Sequence, residues 1–163
     1  MRVVSDTSPV SNLAIVGRLE FLRRLHGQIS IPPAVATDLS RLRHDADRAA
    51  VEKALADGWL GIEASGTPVP ALPGLHPGET EAIALAMGIP DAVLLIDESE
   101  GRAAGRGLGL TISGVIGVLV AAKKRGWVAS LQGELLALRS EARFFVSPKL
   151  MSQALAGVGE AGS

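Results

Sequence analysis

Short apolar runs that alternate with helix-like segments constrain the fold of this chain more than any other feature of its sequence. Residues 3–4, 93–96 and 110–112 form uncharged runs, and each is followed by a polar residue and then by a segment with helical periodicity. Strands that alternate with helices pair in parallel, and a parallel sheet needs helices on both faces. The sequence therefore predicts an α/β protein: a three-layer α/β/α sandwich with a central, mainly parallel sheet.

The remaining elements follow from helix and strand signals along the chain. Strands are also predicted at residues 28–31 and 144–146, whereas residues 59–62 are either a short strand or an extended segment. Ser8-Pro9 is typical of a helix start, with Ser as the cap and Pro at the first position. Further helices are predicted at residues 34–41, 46–57, 78–87, 99–107, 115–125, 131–141 and 149–155. We expect one domain over residues 1–156 and a flexible tail over residues 157–163.

Composition limits the possible functions. The chain has 163 residues, of which 47% are hydrophobic, and its formal net charge is -1, so it is a globular domain without a basic nucleic-acid-binding coat. Aromatic residues make up only 3%, which excludes a broad base-stacking platform. There is no Cys, and no uncharged run is long enough to span a membrane. Because Asp6 interrupts the first apolar run, we expect that residues 1–16 are not a signal peptide. These features predict a cytoplasmic protein in which any contact with nucleic acid is local and assisted by a metal.

Polar residues end three of the predicted strands. Asp6 follows the first strand, Asp97 follows residues 93–96, and Ser113 follows residues 110–112. In open parallel sheets, ligands bind beyond the carboxyl ends of the strands. Each Asp alone is explained as the cap of the next helix. Two carboxylates at one edge repel each other unless a cation lies between them, so the pair favours a site.

Acidic residues on two predicted helices add to this edge. Glu79 lies in the first turn of residues 78–87 and on the same side as its apolar face, whereas Glu81 is offset and more exposed. Asp38 lies on a helix that leaves a strand end and, taken alone, is an ordinary surface acid. Magnesium and manganese prefer oxygen ligands, and clustered carboxylates with one or two such ions hydrolyse phosphodiesters. The three His residues have no zinc-like spacing.

Five motifs in order resemble the PIN-domain family, and the match is nearest to its DUF3368 branch, which is related to VapC toxins. The sequences are VVSDTSPV at 3–10, IPPAVATDL at 31–39, HPGETEAIALA at 76–86, LLIDE at 94–98 and GLTISGVIGVL at 109–119, with Gly101-Arg102 between the last two. The resemblance covers nearly the whole chain. It implies a magnesium- or manganese-dependent ribonuclease, the toxin of a toxin–antitoxin pair, with RNA as substrate and an antitoxin protein as a possible partner.

The resemblance also implies roles for individual residues. The catalytic acids fall on Asp6, Asp38, Glu79 and Asp97, of which Asp6, Glu79 and Asp97 would bind the metal. Asp38 departs from the family pattern, in which Glu is more usual. Glu81 and Glu98 are alternatives to Glu79 and Asp97, and Ser8 and Ser113 match the small hydroxyl residues of the family.

Two basic residues also follow the predicted strand that ends at Asp97. Arg102 and Arg106 follow Asp97 on one predicted helix and are candidates for phosphate binding, with ion pairs to Glu98 or Glu100 as the alternative.

The main rival function is a catalytically inactive PIN-like module that binds RNA or protein. A phosphotransfer or nucleotide-binding protein is excluded, because no Asp-x-Asp follows the first strand and no P-loop is present. The apolar faces at Leu19, Leu22 and Leu25 and at Leu131, Leu135 and Leu138 predict a homodimer, unless they belong to the core.

Overall fold

The computed structural model describes residues 1–160, and in this range a five-stranded sheet is flanked by nine helices. The strands are β1 (Val3–Ser5), β2 (Ile29–Ile31), β3 (Leu60–Ile62), β4 (Val93–Leu95) and β5 (Thr111–Ser113). The helices are α1 (Thr7–Ile15), α2 (Glu20–His26), α3 (Pro33–Ser40), α4 (Asp45–Ala56), α5 (Pro77–Met87), α6 (Ser99–Gly107), α7 (Val115–Lys124), α8 (Leu131–Glu141) and α9 (Pro148–Gly157). The predicted three-layer α/β/α architecture is confirmed.

The strand order reverses direction between β1 and β4. All four strand pairs are parallel and the order is β3-β2-β1-β4-β5. The chain therefore runs outward from β1 to β2 and β3 on one side, and outward from β4 to β5 on the other. Such a switch point opens a crevice at the carboxyl ends of the two central strands, where open α/β sheets bind ligands.

Alternating strand residues build a core on each face of the sheet. Val3 and Leu95 belong to the larger cluster, which also contains apolar residues of α1, α2, α3, α4, α7 and α8. Val4, Leu94 and Ile96 belong to the second cluster, with residues of α5. The two-residue period of a strand assigns neighbours to opposite faces. Both faces of the central strands are therefore buried, which explains their uninterrupted apolar runs.

Two local predictions were wrong. Helix α1 begins at Thr7 with Asp6 as its N-terminal cap residue, so Ser8 is not the cap and Pro9 is not the first helical residue. Residues 144–146 do not form a strand. Arg143 has φ 54°, and the Phe144 N–H donates to the Leu138 carbonyl at 3.1 Å, so this segment ends α8 with a left-handed turn. Phe144 and Val146 reflect packing on the core rather than strand pairing, and Phe145 is exposed.

The leucine faces that predicted a homodimer belong to the core of the chain itself. Leu19 and Leu22 are buried in the larger cluster, and Leu25 packs against it. The same cluster buries Leu131, Leu135 and Leu138. These residues are not available to a second copy, so the two faces do not support a homodimer, which stays a prediction. No helix within residues 1–160 is both long and apolar enough to cross a membrane.

The predicted tail, residues 157–163, is described only as far as residue 160, and residues 161–163 lie outside the described part of the chain. Helix α9 continues to Gly157. The Glu160 carboxylate accepts hydrogen bonds from the N–H groups of Leu131 (2.6 Å) and Gln132 (3.2 Å) at the start of α8. A carboxylate at this end of a helix is stabilised by the helix dipole. Glu160 thus connects the end of the described chain to α8.

Candidate active site

Two buried strands deliver carboxylates to the switch point. Asp6 directly follows β1 and is 3% exposed, and its N–H donates to the Leu95 carbonyl at 2.9 Å, so it is held against β4. Asp97 lies just beyond β4, with Ile96 between it and the last residue of the strand, Leu95. The neighbouring parallel strands confirm that the two residues share one edge of the sheet. This is the arrangement expected from the apolar runs that end in Asp.

Asp97 is fixed by the start of α7. Its Oδ1 accepts a hydrogen bond from the Val115 N–H at 2.9 Å. Its Oδ2 is buried and has no hydrogen-bond partner among the described residues. Gly114 packs so closely on this carboxylate that an added Cβ would collide with Oδ1. Asp97 therefore caps the helix through one oxygen and leaves the other free for a ligand.

Glu79 has the same division between a bonded and an unbonded oxygen. It lies in the first turn of α5 and is only 4% exposed. Its Oε1 accepts a hydrogen bond from the His76 N–H at 3.0 Å, whereas its Oε2 is buried without a partner among the described residues. Gly101 of α6 lies against it, because a Cβ at this position would be 2.7 Å from Oε2. An unpaired buried carboxylate oxygen is costly and indicates a missing cation or proton.

Asp38 reaches the site from α3 and remains exposed. Its Oδ2 accepts a hydrogen bond from Thr7 Oγ1 at 3.0 Å. A Cβ at Gly78 would lie 3.1 Å from this oxygen and 3.3 Å from Asp6 Oδ1. Asp38 and Asp6 therefore face the same gap, and the missing side chain of Gly78 keeps that gap open.

These groups line a cavity of about 120 Å³, which we term the acid cavity; its wall contains Asp6, Thr7, Ser8, Asp38, His76, Gly78, Glu79 and Glu98. Asp97 lines a neighbouring cavity together with Ser113. Asp97 and Glu98 are consecutive, so the two cavities adjoin. The four acids named from sequence thus surround one region, with Asp97 at its border.

The alternative acids and the hydroxyl residues lie in different places. Glu81 Oε1 accepts a hydrogen bond from the Ala34 N–H at 3.1 Å, so it caps the start of α3 and does not line the acid cavity. Glu98 is exposed and does line it. Ser8 also lies in the acid cavity, whereas Ser113 lies in the neighbouring one.

The two arginines of α6 differ from each other. Arg102 is half-buried, and its Nη1 donates to the carbonyl groups of Ile96 (2.8 Å) and Ser113 (3.1 Å), which joins the ends of β4 and β5. Neither Arg102 nor Arg106 forms an ion pair with Glu98 or Glu100 among the described residues. Arg106 is exposed. Arg102 thus places a fixed positive charge at the border of the site.

Burial dominates the electrostatics of the two aspartates. The pKa of Asp6 is raised from 3.8 to about 7: burial is the largest cause, the Thr7 N–H opposes it, and the charges of Glu79, Asp97 and Asp38 add to the rise. Burial also raises the pKa of Asp97 to about 6, against the lowering effects of the Val115 N–H and of Arg102. Repulsion between clustered carboxylates predicts raised pKa values, but loss of hydration is the larger cause for both aspartates. Both pKa values lie in the range where a cation would compete with protons.

The donor set fits a hard divalent cation in its chemistry. All candidate ligands are carboxylate oxygens, two of them are buried without partners, and Gly78 leaves open the space that faces Asp6 and Asp38. As the side chains are placed, no three His, Asp or Glu groups within residues 1–160 converge closely enough to hold an ion. Binding therefore requires rotation of at least one carboxylate toward the gap. Glu79 and Asp97 each have an unbonded oxygen available for this.

Sequence reasoning missed residues that shape the site without being acidic. Thr7 bonds Asp38, and the His76 backbone holds Glu79. Gly78 and Gly101 allow close approach of helices to the carboxylates. The sequence feature that could have pointed to these four residues was their position, because each is next to a candidate acid or lies within one of the quoted motifs. Their partners are distant in sequence, and only the folded chain shows them.

The sheet order and the acid cluster at its switch point together define the class of protein as a PIN-type nuclease fold. The family model DUF3368, described as a PIN domain, matches residues 2–160, and the chain belongs to this family. PIN domains are generally nucleases and typically use divalent metals. No curated protein and no solved structure shows significant similarity to the chain.

Replacement of Thr7 tests how Asp38 is held. In the RNA cleavage that is proposed below, we expect Thr7→Val to lower kcat roughly five- to ten-fold, the equivalent of ~1 kcal/mol for one lost hydrogen bond, with KM unchanged. Steady-state kinetics of purified variants measure this, and Thr7→Ser should restore the parent value. A Thr7→Val enzyme with the parent's kcat would show that the Thr7–Asp38 bond has no part in turnover.

Proposed function

We propose that this protein is a magnesium- or manganese-dependent endoribonuclease. The observation that carries the proposal is that four acids from separate segments lie at the switch point of the sheet, three of them on the wall of the acid cavity and Asp97 at its border, with two buried oxygens left without partners. Structural acids seldom leave oxygens unpaired in this way, because the energetic cost is high. The PIN-domain family supplies the chemical class, and the donor set supports a hard divalent cation.

In this proposal the residues divide the work. Asp6, Glu79 and Asp97 hold the metal, which when bound neutralises charge on the attacking and leaving oxygens of the phosphodiester. Asp38 is exposed and is oriented by the Thr7 hydroxyl, so it positions the attacking water. Ser8 lies beside these acids, and Glu98 extends the acidic wall of the cavity. Arg102 provides a fixed positive charge near Asp97 that attracts the phosphate backbone, with Arg106 further along the same helix.

The proposal is tested by cleavage of RNA. We expect purified protein to cut single-stranded RNA with manganese or magnesium and to be inactive in EDTA. Asp6→Asn should lower kcat at least about a hundred-fold, because it removes a metal ligand and its charge. Glu52→Gln is the matched control, since Glu52 is an exposed acid of α4 outside the site. Equal cleavage by Asp6→Asn and Glu52→Gln would refute the assignment.

The biological role proposed for this activity is that of a toxin neutralised by an antitoxin protein. Its support is the resemblance to VapC toxins through five motifs in order. Induced expression should then arrest growth, and Asp6→Asn should remove the arrest if cleavage is its cause.

A second candidate is a PIN-like module that binds RNA or protein without cutting it. One observation favours it: the carboxylates do not converge on one point as placed, within residues 1–160. The shorter acid at Asp38 points in the same direction. A manganese titration separates the two functions, because an inactive module of this kind would show no site-specific binding of the ion.

A further inference from the structure

A second cavity adjoins the acid cavity; the mechanism above uses Asp97 and Arg102 on its wall but assigns no ligand to its interior. It has a volume of about 490 Å³ and is lined by residues that include Asp97, Arg102, Ser113, Gly117, Phe145 and Leu150. We term it the Phe145 cavity. Its size lies within the roughly 300–1,000 Å³ typical of sites for small organic ligands. Because Asp97 lines it and the next residue, Glu98, lines the acid cavity, a ligand in the Phe145 cavity would lie next to the acid cluster.

Phe145 is presented to solvent by the packing of its neighbours. It is 72% exposed, whereas Val146 is 5% exposed and Phe144 packs against the larger core cluster. The segment is thus anchored on both sides of Phe145. The other aromatic side chains of the chain, among them Phe21 and Trp59, are buried or half-buried. Exposure of a Phe ring is unfavourable in water, and its fixed presentation beside a cavity is typical of a binding surface.

The Arg102 side chain in the same cavity, beside the Asp97 carboxylate, can donate hydrogen bonds to an anionic group of a ligand. The Arg102 guanidinium is held at the ends of β4 and β5 by two hydrogen bonds from one nitrogen, Nη1. A guanidinium has five N–H donors, so most remain available. An aromatic ring and an arginine in one cavity match the two parts of a nucleotide, its flat base and its phosphate.

We propose that the Phe145 cavity binds one unpaired nucleotide of the RNA strand, with its base stacked on Phe145 and its phosphate against Arg102. This inference rests on the proposed nuclease function and adds to it a position that binds one unpaired base beside the acid cluster. Bases inside an A-form duplex are stacked on each other and cannot reach an isolated ring. The low aromatic content excludes a broad stacking platform but is compatible with a single stacking position next to the scissile phosphate.

The strongest rival occupant is an apolar side chain of a protein partner, inserted beside Phe145 and Leu150. Such a side chain would offer no acceptor to the remaining N–H donors of the Arg102 guanidinium. It would also bury the half-exposed charges at the cavity wall, which is costly unless they are paired. The observed composition of the cavity therefore favours the nucleotide, and the experiment below separates the two.

Binding is measured in the Asp6→Asn background, in which cleavage is blocked, by fluorescence anisotropy of a labelled single-stranded oligouridylate. We expect Phe145→Ala to weaken binding about ten-fold, the effect of losing one base–aromatic contact. Phe145→Trp should bind as the parent does, and emission from the new Trp should change on binding. Leu136→Ala is the control, since Leu136 is an exposed apolar residue of α8, 47% exposed, that does not line this cavity.

A second arm identifies the group that contacts Phe145. An otherwise identical oligonucleotide with abasic positions should bind the Phe145 protein and its Phe145→Ala variant equally. Unchanged oligouridylate binding in Phe145→Ala, or full binding by Phe145→Leu, would overturn the inference and leave the cavity to an apolar partner. Cleavage of RNA is measured separately from binding. If the enzyme cuts RNA and Phe145→Ala leaves oligouridylate binding unchanged, only this inference is refuted. If binding depends on Phe145 and the protein never cuts RNA, only the nuclease proposal is refuted.

Discussion

Asp6→Asn is expected to stabilise the metal-free protein at pH 8 while it abolishes the proposed activity. Asp6 is charged at this pH in a site that removes its hydration, and burial raises its pKa from 3.8 to about 7. One pKa unit corresponds to ~1.4 kcal/mol, so the gain is up to about 4 kcal/mol. Asn has nearly the same shape and carries no charge, and it remains a good helix cap.

The dependence of this effect on pH has a definite sign. Between pH 3.8 and about 7, the folded state holds a proton on Asp6 that the unfolded state has lost. The contribution of Asp6 to stability is therefore fully present below 3.8 and is lost as the pH rises to about 7. Asp97, whose pKa is about 6, acts in the same direction over a narrower window.

Urea denaturation in EDTA at pH 5 and pH 8 measures the effect. The advantage of Asp6→Asn at pH 5 should be less than half of that at pH 8, because most Asp6 in the folded parent is then protonated. Glu52→Gln, at an exposed position, should match the parent at both pH values. An Asp6→Asn variant less stable than the parent at pH 8 would show that Asp6 is stabilised as an anion by protein groups.

Manganese is expected to stabilise the parent protein far more at pH 8 than at pH 5. A carboxylate must lose its proton to bind a metal. At pH 5 the solution is about two units below the pKa of Asp6 and one below that of Asp97. The affinity should therefore fall by up to about a thousand-fold, and the stabilisation by up to ~4 kcal/mol at a fixed, near-saturating concentration. Thermal melts with and without manganese at the two pH values measure the difference.

The fold was largely predictable because buried parallel strands have simple sequence signals. Each of β1, β4 and β5 is part of an apolar run that ends at a polar residue, and Gly or Pro marks the ends of most helices. The signal failed at residues 144–146, where Phe144 and Val146 pack inward from a loop and Phe145 faces solvent. Periodicity reports burial and cannot distinguish a paired strand from an extended loop that packs on the core.

The positions of Asp6 and Asp97 were predictable for the same reason, since the ends of adjacent parallel strands share one edge of the sheet. The other contacts of the site were not predictable from the sequence. The bond from Thr7 to Asp38 and the approach of Gly101 to Glu79 join residues on different helices, and no local pattern encodes them. The cause of the raised pKa values also needed the structure, because burial of a carboxyl group cannot be read from the number of nearby acids.

The proposed activity requires that the acid cavity and Asp97 bind a divalent cation. Isothermal titration of manganese into the metal-free protein at pH 8 tests it directly, with Asp97→Asn and Glu52→Gln as the paired variants. We predict saturable binding by the parent and by Glu52→Gln, with release of protons near neutral pH, and loss of that binding in Asp97→Asn. Equal binding by Asp97→Asn, or no binding by the parent, would contradict the account and favour the inactive binding module.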